Sequence, residues 1–89
     1  MLFCRAKEIT VTIKLYSGLH RELELSTYDM SQGLRVTIKN GMRLKNVLRM
    51  IGMKQLLANA YFIQGNRVGL WHRLREGDEV SCLKPSGGG

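Results

Sequence analysis

At 89 residues the chain has room for one domain with a modest core, which argues against a pocket enclosed by this chain alone and puts function on the surface or at an end. An apolar fraction of 44% and a charged fraction of 24% are those of an ordinary globular protein, no apolar run approaches the ~20 residues that span a bilayer, and Met1-Leu2-Phe3-Cys4-Arg5 is too short an apolar stretch for an export signal, so a cytoplasmic protein is expected. The net charge of +7 is unevenly placed, with nine basic residues from Arg35 to Arg75 and no acidic residue between Asp29 and Glu76; this suits nucleic acid, an acidic protein or a phosphorylated small molecule, and equally a solvated surface.

Residues 1–7 read as a frayed N-terminus. From Ile9 to Leu15 the run Ile-Thr-Val-Thr-Ile-Lys-Leu alternates without a break and is dominated by β-branched residues, the pattern of a strand with one buried face. Leu23 and Leu25 alternate with Glu22 and Glu24, which predicts a short strand or extended segment, followed by a polar loop from Ser26 to Gly33. Leu34, Val36 and Ile38 form another strand, ended by a turn at Asn40-Gly41. The period then changes: Leu44, Val47, Leu48 and Ile51 have the spacing of one helical face, and Gly52 sits where such a helix would stop. Met50 and Met53 extend that apolar face into the core or form a soft contact surface, the core being the commoner role. After a less regular stretch from Gln55 to Asn59, Tyr61-Phe62-Ile63 makes a short strand, and Gly65-Asn66 a turn before Arg67-Val68. Trp71 and Leu74 are expected to pack over the core from a loop. Glu76-Gly77-Asp78-Glu79 is a tight turn into a last strand, Val80 to Leu83, which Pro85 stops. Several strands and one helix, without repeats or a linker, predict a single α+β domain over 1–89, a mixed sheet with the helix across one face and a flexible tail over 85–89.

The usual catalytic constellations are missing from the sequence. Cys4 and Cys82 lie at opposite ends and His20 and His72 stand alone, so no metal site is expected. Cys82, in an apolar strand, reads as a small core residue. Glu76, Asp78 and Glu79 are explained as turn and strand-start residues rather than as a general acid and base. No catalytic residue is therefore assigned, and an enzyme acting alone is not expected. What stands out is Ser86-Gly87-Gly88-Gly89. Glycine lacks a Cβ, so Gly87 and Gly88 can thread a narrow slot in another protein and deliver a terminal carboxylate at Gly89 to ATP. On the glycines alone, an end without function is an equal reading.

If Val80 and Cys82 face the core, alternation turns Ser81 and Leu83 outward, and with Tyr61 and Ile63 inward it exposes Phe62. Phe62 and Leu83 are thus candidate docking anchors. Lys84, beside the tail, together with Arg67 and Arg73, could meet an acidic partner surface.

Taken together, the Glu76-Gly77-Asp78-Glu79-Val80 turn, the strand after it, Pro85 and the closing Gly88-Gly89 resemble the MoaD/ThiS family of ubiquitin-like β-grasp sulfur carriers, over about Ile9 to Gly89. Ile63-Gln64-Gly65-Asn66 is similar to the family's short strand and turn, with Gln64-Gly65 in place of the commoner Asn-Gly. The resemblance implies a β-grasp fold and adenylation of Gly89 by a ubiquitin-activating-type ATPase that uses ATP. It further implies a thiocarboxylate that gives sulfur to a synthase subunit, for molybdopterin or tungstopterin cofactor synthesis or for the thiamine thiazole. It implies no cofactor bound by the chain itself. Two alternatives stand beside it. One is a ubiquitin-like modifier joined to lysines through Gly89. The other is a small basic nucleic-acid-binding module, disfavoured because only Tyr61, Phe62 and Trp71 interleave aromatics with the charges.

Overall fold

The computed structural model describes residues 7–23 and 28–85. The alternating run becomes strand β1, Glu8–Leu15, which buries Ile9, Val11, Ile13 and Leu15 and turns Thr10, Thr12 and Lys14 away from the core. Strand β2, Leu34–Lys39, pairs antiparallel with it, setting Ile9 opposite Ile38 and Val11 opposite Val36. Strands β3, Ala60–Ile63, and β4, Asn66–Val68, form a hairpin. Strand β5, Glu79–Leu83, lies between β1 and β3, parallel to the first and antiparallel to the second. The sheet order is β2-β1-β5-β3-β4, so the first and last strands are neighbours inside one mixed sheet.

The main helix, Leu44–Met50, buries Leu44, Val47 and Leu48 completely, in one cluster with Ile13, Leu15, Val80 and Cys82. Its first amides find partners outside the helix: the Leu44 N–H donates to the His72 carbonyl at 2.8 Å and the Lys45 N–H to the Leu70 carbonyl at 2.9 Å. The loop after β4 therefore caps the helix with backbone in place of a side chain. The turn before β5 is held by its acids, as expected: the Arg75 N–H donates to Asp78 Oδ2 at 2.9 Å and the Thr10 N–H to Glu76 Oε1 at 3.1 Å.

Three expectations are corrected. Where a short strand or extended segment was expected from Glu22, that residue ends a short helix, Leu19–Glu22, and Leu23 is not extended; Glu24 lies outside the described residues. Leu19 is buried, Leu23 half-buried, and Leu25 lies outside the described residues. The hairpin turn sits one residue earlier than Gly65-Asn66, with Gln64 at φ 52° and Gly65 at φ 79°, and Asn66 already pairs with Ile63. Two successive positive φ values match the twist of the flanking strands. Met53 is in the core but Met50 is 58% exposed. Leu74 is fully buried, whereas Trp71 is 63% exposed and does not cover the core. Within Gln55–Asn59, Leu56–Ala58 makes one 3₁₀ turn, whose Leu56 carbonyl accepts the Tyr61 hydroxyl at 2.6 Å.

Candidate functional site

Because β5 is paired on both sides, the segment that follows it leaves from the interior of the sheet rather than from an edge. Lys84 and Pro85 close the described residues; Gly87, Gly88 and Gly89 lie outside them. Proline after the strand cannot donate to a ladder, so pairing stops at a fixed point.

Alternation places Phe62 on the sheet face away from the helix. Its neighbours on β3, Tyr61 and Ile63, join the core or pack against it, while Phe62 does neither and is half-buried. Register then builds a row across four strands: Arg67 opposite Phe62, Phe62 opposite Ser81, and Ser81 opposite Lys14. Lys14 Nζ lies 3.7 Å from Glu79 Oε2 on the neighbouring strand. Leu83 shares this outer face two residues nearer the tail, opposite Ala60, and is also half-buried. The structure thus places Phe62 and Leu83 on one outer face of the sheet and adds Arg67, Ser81 and Lys14 to it. The membership of Ser81 and Lys14 in this row depends on strand register, which alternation within one strand does not reveal. Lys84 has a different neighbour: its ammonium pairs with the Glu22 carboxylate of the short helix. Arg73 Nη1 donates to the Gly41 carbonyl at 3.2 Å, away from the Phe62 row.

Beneath this face, Cys82 is fully buried. Burial pushes its thiol from 9.0 up to about 12. Between those values the unfolded chain releases a proton that the native state retains, so stability is unaffected by this group below about pH 9 and falls above it. Urea unfolding of the natural chain and of Cys82→Val, each measured near neutrality and at about pH 10, should show the alkaline loss reduced by about 1.4 kcal/mol in the variant. Equal losses in the two proteins would mean that the thiol ionises freely in the fold. Burial also raises Tyr61, and the neighbouring Cys82 thiolate, absent from the variant, raises it further.

Among the described residues, no group of three or more His, Cys, Asp or Glu could hold a metal ion, and no helix is long and apolar enough to cross a membrane.

A mixed sheet with its first and last strands parallel inside it, and one main helix across one face, is the ubiquitin-like β-grasp fold. Solved structures agree. SAMP1 from Haloferax volcanii superposes with a TM-score of 0.67 at 17% identity, over 90% of this chain and 99% of that one. A Pyrococcus furiosus protein assigned as molybdopterin converting factor, subunit 1, gives 0.65 at 13% identity, over 86% and 98%. The ubiquitin-like domain of an Arabidopsis thaliana protein gives 0.61 at 13% identity, over 94% and 84%. By sequence, the chain matches no family model and no curated protein. These likenesses establish the fold.

Proposed function

We propose that this chain is a sulfur carrier of the MoaD/ThiS kind, whose reacting group is the carboxylate of Gly89. The observation that carries the reading is the position of β5: the strand is locked between two neighbours and runs through a single proline into Ser86-Gly87-Gly88-Gly89. In sequence the segment that follows is almost without side chains, and the described outer face of the sheet bears Phe62 and Leu83. The fold shared with a protein assigned as a molybdopterin converting factor subunit supports the same reading.

The chemistry needs no catalytic side chain on the carrier. Held by a ubiquitin-activating-type enzyme, the carboxylate attacks the α-phosphate of ATP and expels pyrophosphate, leaving an acyl-adenylate. Sulfide then displaces AMP to give the thiocarboxylate; with a protein persulfide the first product is an acyl disulfide, which a second thiol cleaves. Gly87 and Gly88 fill the slot, since only glycine lies flat against backbone on all sides. Phe62 and Leu83 supply the apolar anchors of docking. Lys84 meets an acidic partner group once its pairing with Glu22 opens. The sulfur passes to a synthase subunit that makes a pterin cofactor or the thiamine thiazole.

Intact-mass analysis after incubation with ATP, sulfide and the activating enzyme from the same cell tests this directly, against a Gly89-deleted control. One oxygen replaced by sulfur adds about 16 Da, and the gain should require Gly89. An unchanged mass, with the enzyme active on its own substrate, would overturn the reading. Branched Gly-Gly remnants on lysines of other proteins, without the sulfur gain, would establish conjugation instead.

A further inference from the structure

The helical side of the molecule carries a second surface that the tail chemistry does not use. A cleft of ≈ 580 Å³ opens between the main helix, the loop at Lys54–Ala58 and the loop at Leu70-Trp71. Its rim holds three cations, Lys45, Arg49 and Lys54, and its apolar lining includes Leu57, Leu70 and Trp71. Leu57 is 91% exposed and Trp71 63% exposed. A large aromatic ring and a leucine left in water beside a concave surface mark an interaction site more often than a bare surface does.

The local architecture explains why Trp71 stands there. The carbonyls of Leu70 and His72 turn inward to cap the helix, which leaves the residue between them facing out. The ring then lies against two cations: Lys45 Nζ is 3.6 Å from its centroid and Arg43 Cζ is 5.2 Å away. Among the described residues the ion pairs are Lys14 with Glu79 and Lys84 with Glu22, so Lys45, Arg49 and Lys54 have no carboxylate partner there. Along the chain no acid occurs between Asp29 and Glu76, and the described carboxylate of Glu22, which lines an adjoining cleft with Lys54, is paired with Lys84.

We propose that this cleft docks an acidic segment of a partner protein. An apolar or aromatic side chain of the segment seats between Leu57, Leu70 and Trp71, and its carboxylates meet Lys45, Arg49 and Lys54. Two features favour a protein over a nucleic acid. The centre of the cleft is aliphatic, and interfaces between proteins combine such a centre with Trp and Arg. Single-strand binders instead need successive aromatic platforms for bases, and this cleft has one ring, with a lysine already against it. The cleft lies on the helix side, and Arg67 at the end of the Phe62 row meets Leu57 and Leu70 in an adjoining cleft. The proposal does not depend on the identity of the reacting group at the tail.

Trp71 is the one tryptophan of the chain, so its fluorescence reports this site alone. The probe is a short synthetic peptide of glutamates around a central Leu-Phe pair, titrated into the full chain. A saturable change in Trp71 emission is expected. Anisotropy of the labelled peptide should show affinity lowered on the order of tenfold by Lys45→Glu with Arg49→Glu. Lys54→Glu, which leaves the Trp71 contacts intact, should weaken binding in the same direction. Replacing the Leu-Phe pair of the peptide with Ser-Ser should weaken it comparably, and an oligouridylate of equal charge should bind less well. Four outcomes overturn the proposal: no saturable change, charge reversals without effect, equal binding of the Ser-Ser peptide, or tighter binding of the oligouridylate. The last would assign the cleft to nucleic acid.

Discussion

Replacing Gly88 by valine is expected to leave the thermal midpoint of the domain unchanged and to lower adenylation of the terminal carboxylate by on the order of 10²-fold. The stability half follows from position. Cys82 is the last of the described residues within the buried cluster, and the pairing of β5 ends at Cys82 with β1 and at Leu83 with β3. The chemical half follows from geometry. Attack on the α-phosphate needs the carboxylate oxygen within roughly 3–3.5 Å and in line, and a misplacement of about 1 Å costs on that scale. Valine adds a branched Cβ that narrows φ and ψ and widens the segment, and a slot that fits two hydrogens on Cα admits neither change. Gly88→Ala should fall between the two, because it adds one methyl without branching. ATP–pyrophosphate exchange with the activating enzyme measures the step before any sulfur is present. A valine variant that exchanged at the natural rate would show that the segment does not thread a slot, and Gly89 would then have to reach ATP by another approach.

How much of this was legible beforehand depended on how long each pattern ran. β1 was clear because seven alternating residues leave one period to choose. The main helix was clear because Leu44, Val47, Leu48 and Ile51 match one face of a 3.6 period and no other. At Glu22-Leu23-Glu24-Leu25 only four residues alternate, and a window that short fits a strand and a single helical turn equally; of the four, the described Glu22 ends the helix Leu19–Glu22 and Leu23 follows it. At the hairpin, local composition points to Gly65-Asn66, since Asn also suits positive φ, whereas Gln64-Gly65, the pair the family resemblance put there, is the one that adopts it. Alternation within β3 and β5 was enough to turn Phe62 and Leu83 to the outer face, where both are half-buried, so half of that face could be read directly. Its other half comes from register: nothing in the sequence places Arg67 and Lys14 in one row with Phe62. The pairing of Lys84 with Glu22 spans 62 residues and depends on where the short helix ends. Trp71 is the plainest case of a local rule overridden. An aromatic between Leu70 and Leu74 looks like core, but the two carbonyls that cap the main helix fix the direction of the loop, and that decision is made by backbone.

The second large effect belongs to the core. Leu48→Ala is expected to destabilise the domain by about 2–5 kcal/mol, since Leu48 is fully buried against the sheet and the truncation leaves a cavity as well as losing apolar contact. For a chain of this size that lowers the thermal midpoint by on the order of 10–40 °C. Leu48→Met, which keeps the volume, should cost less than about 1.5 kcal/mol. Circular dichroism on heating checks both. The functional expectation runs the other way. If the reacting group is carried beyond Pro85 and the domain serves only as a docking handle, adenylation by the activating enzyme at room temperature should stay within about twofold of the natural rate for any variant still folded. Natural stabilities of about 5–15 kcal/mol leave room for that test. Should the Leu48→Ala protein remain folded and yet lose adenylation in proportion to its lost stability, the packing under β5 would be setting the position of the reacting carboxylate. Tail and domain would then act as one rigid unit, and the outer face with Phe62 and Leu83 would have to be understood as part of the reaction geometry rather than as an anchor beside it.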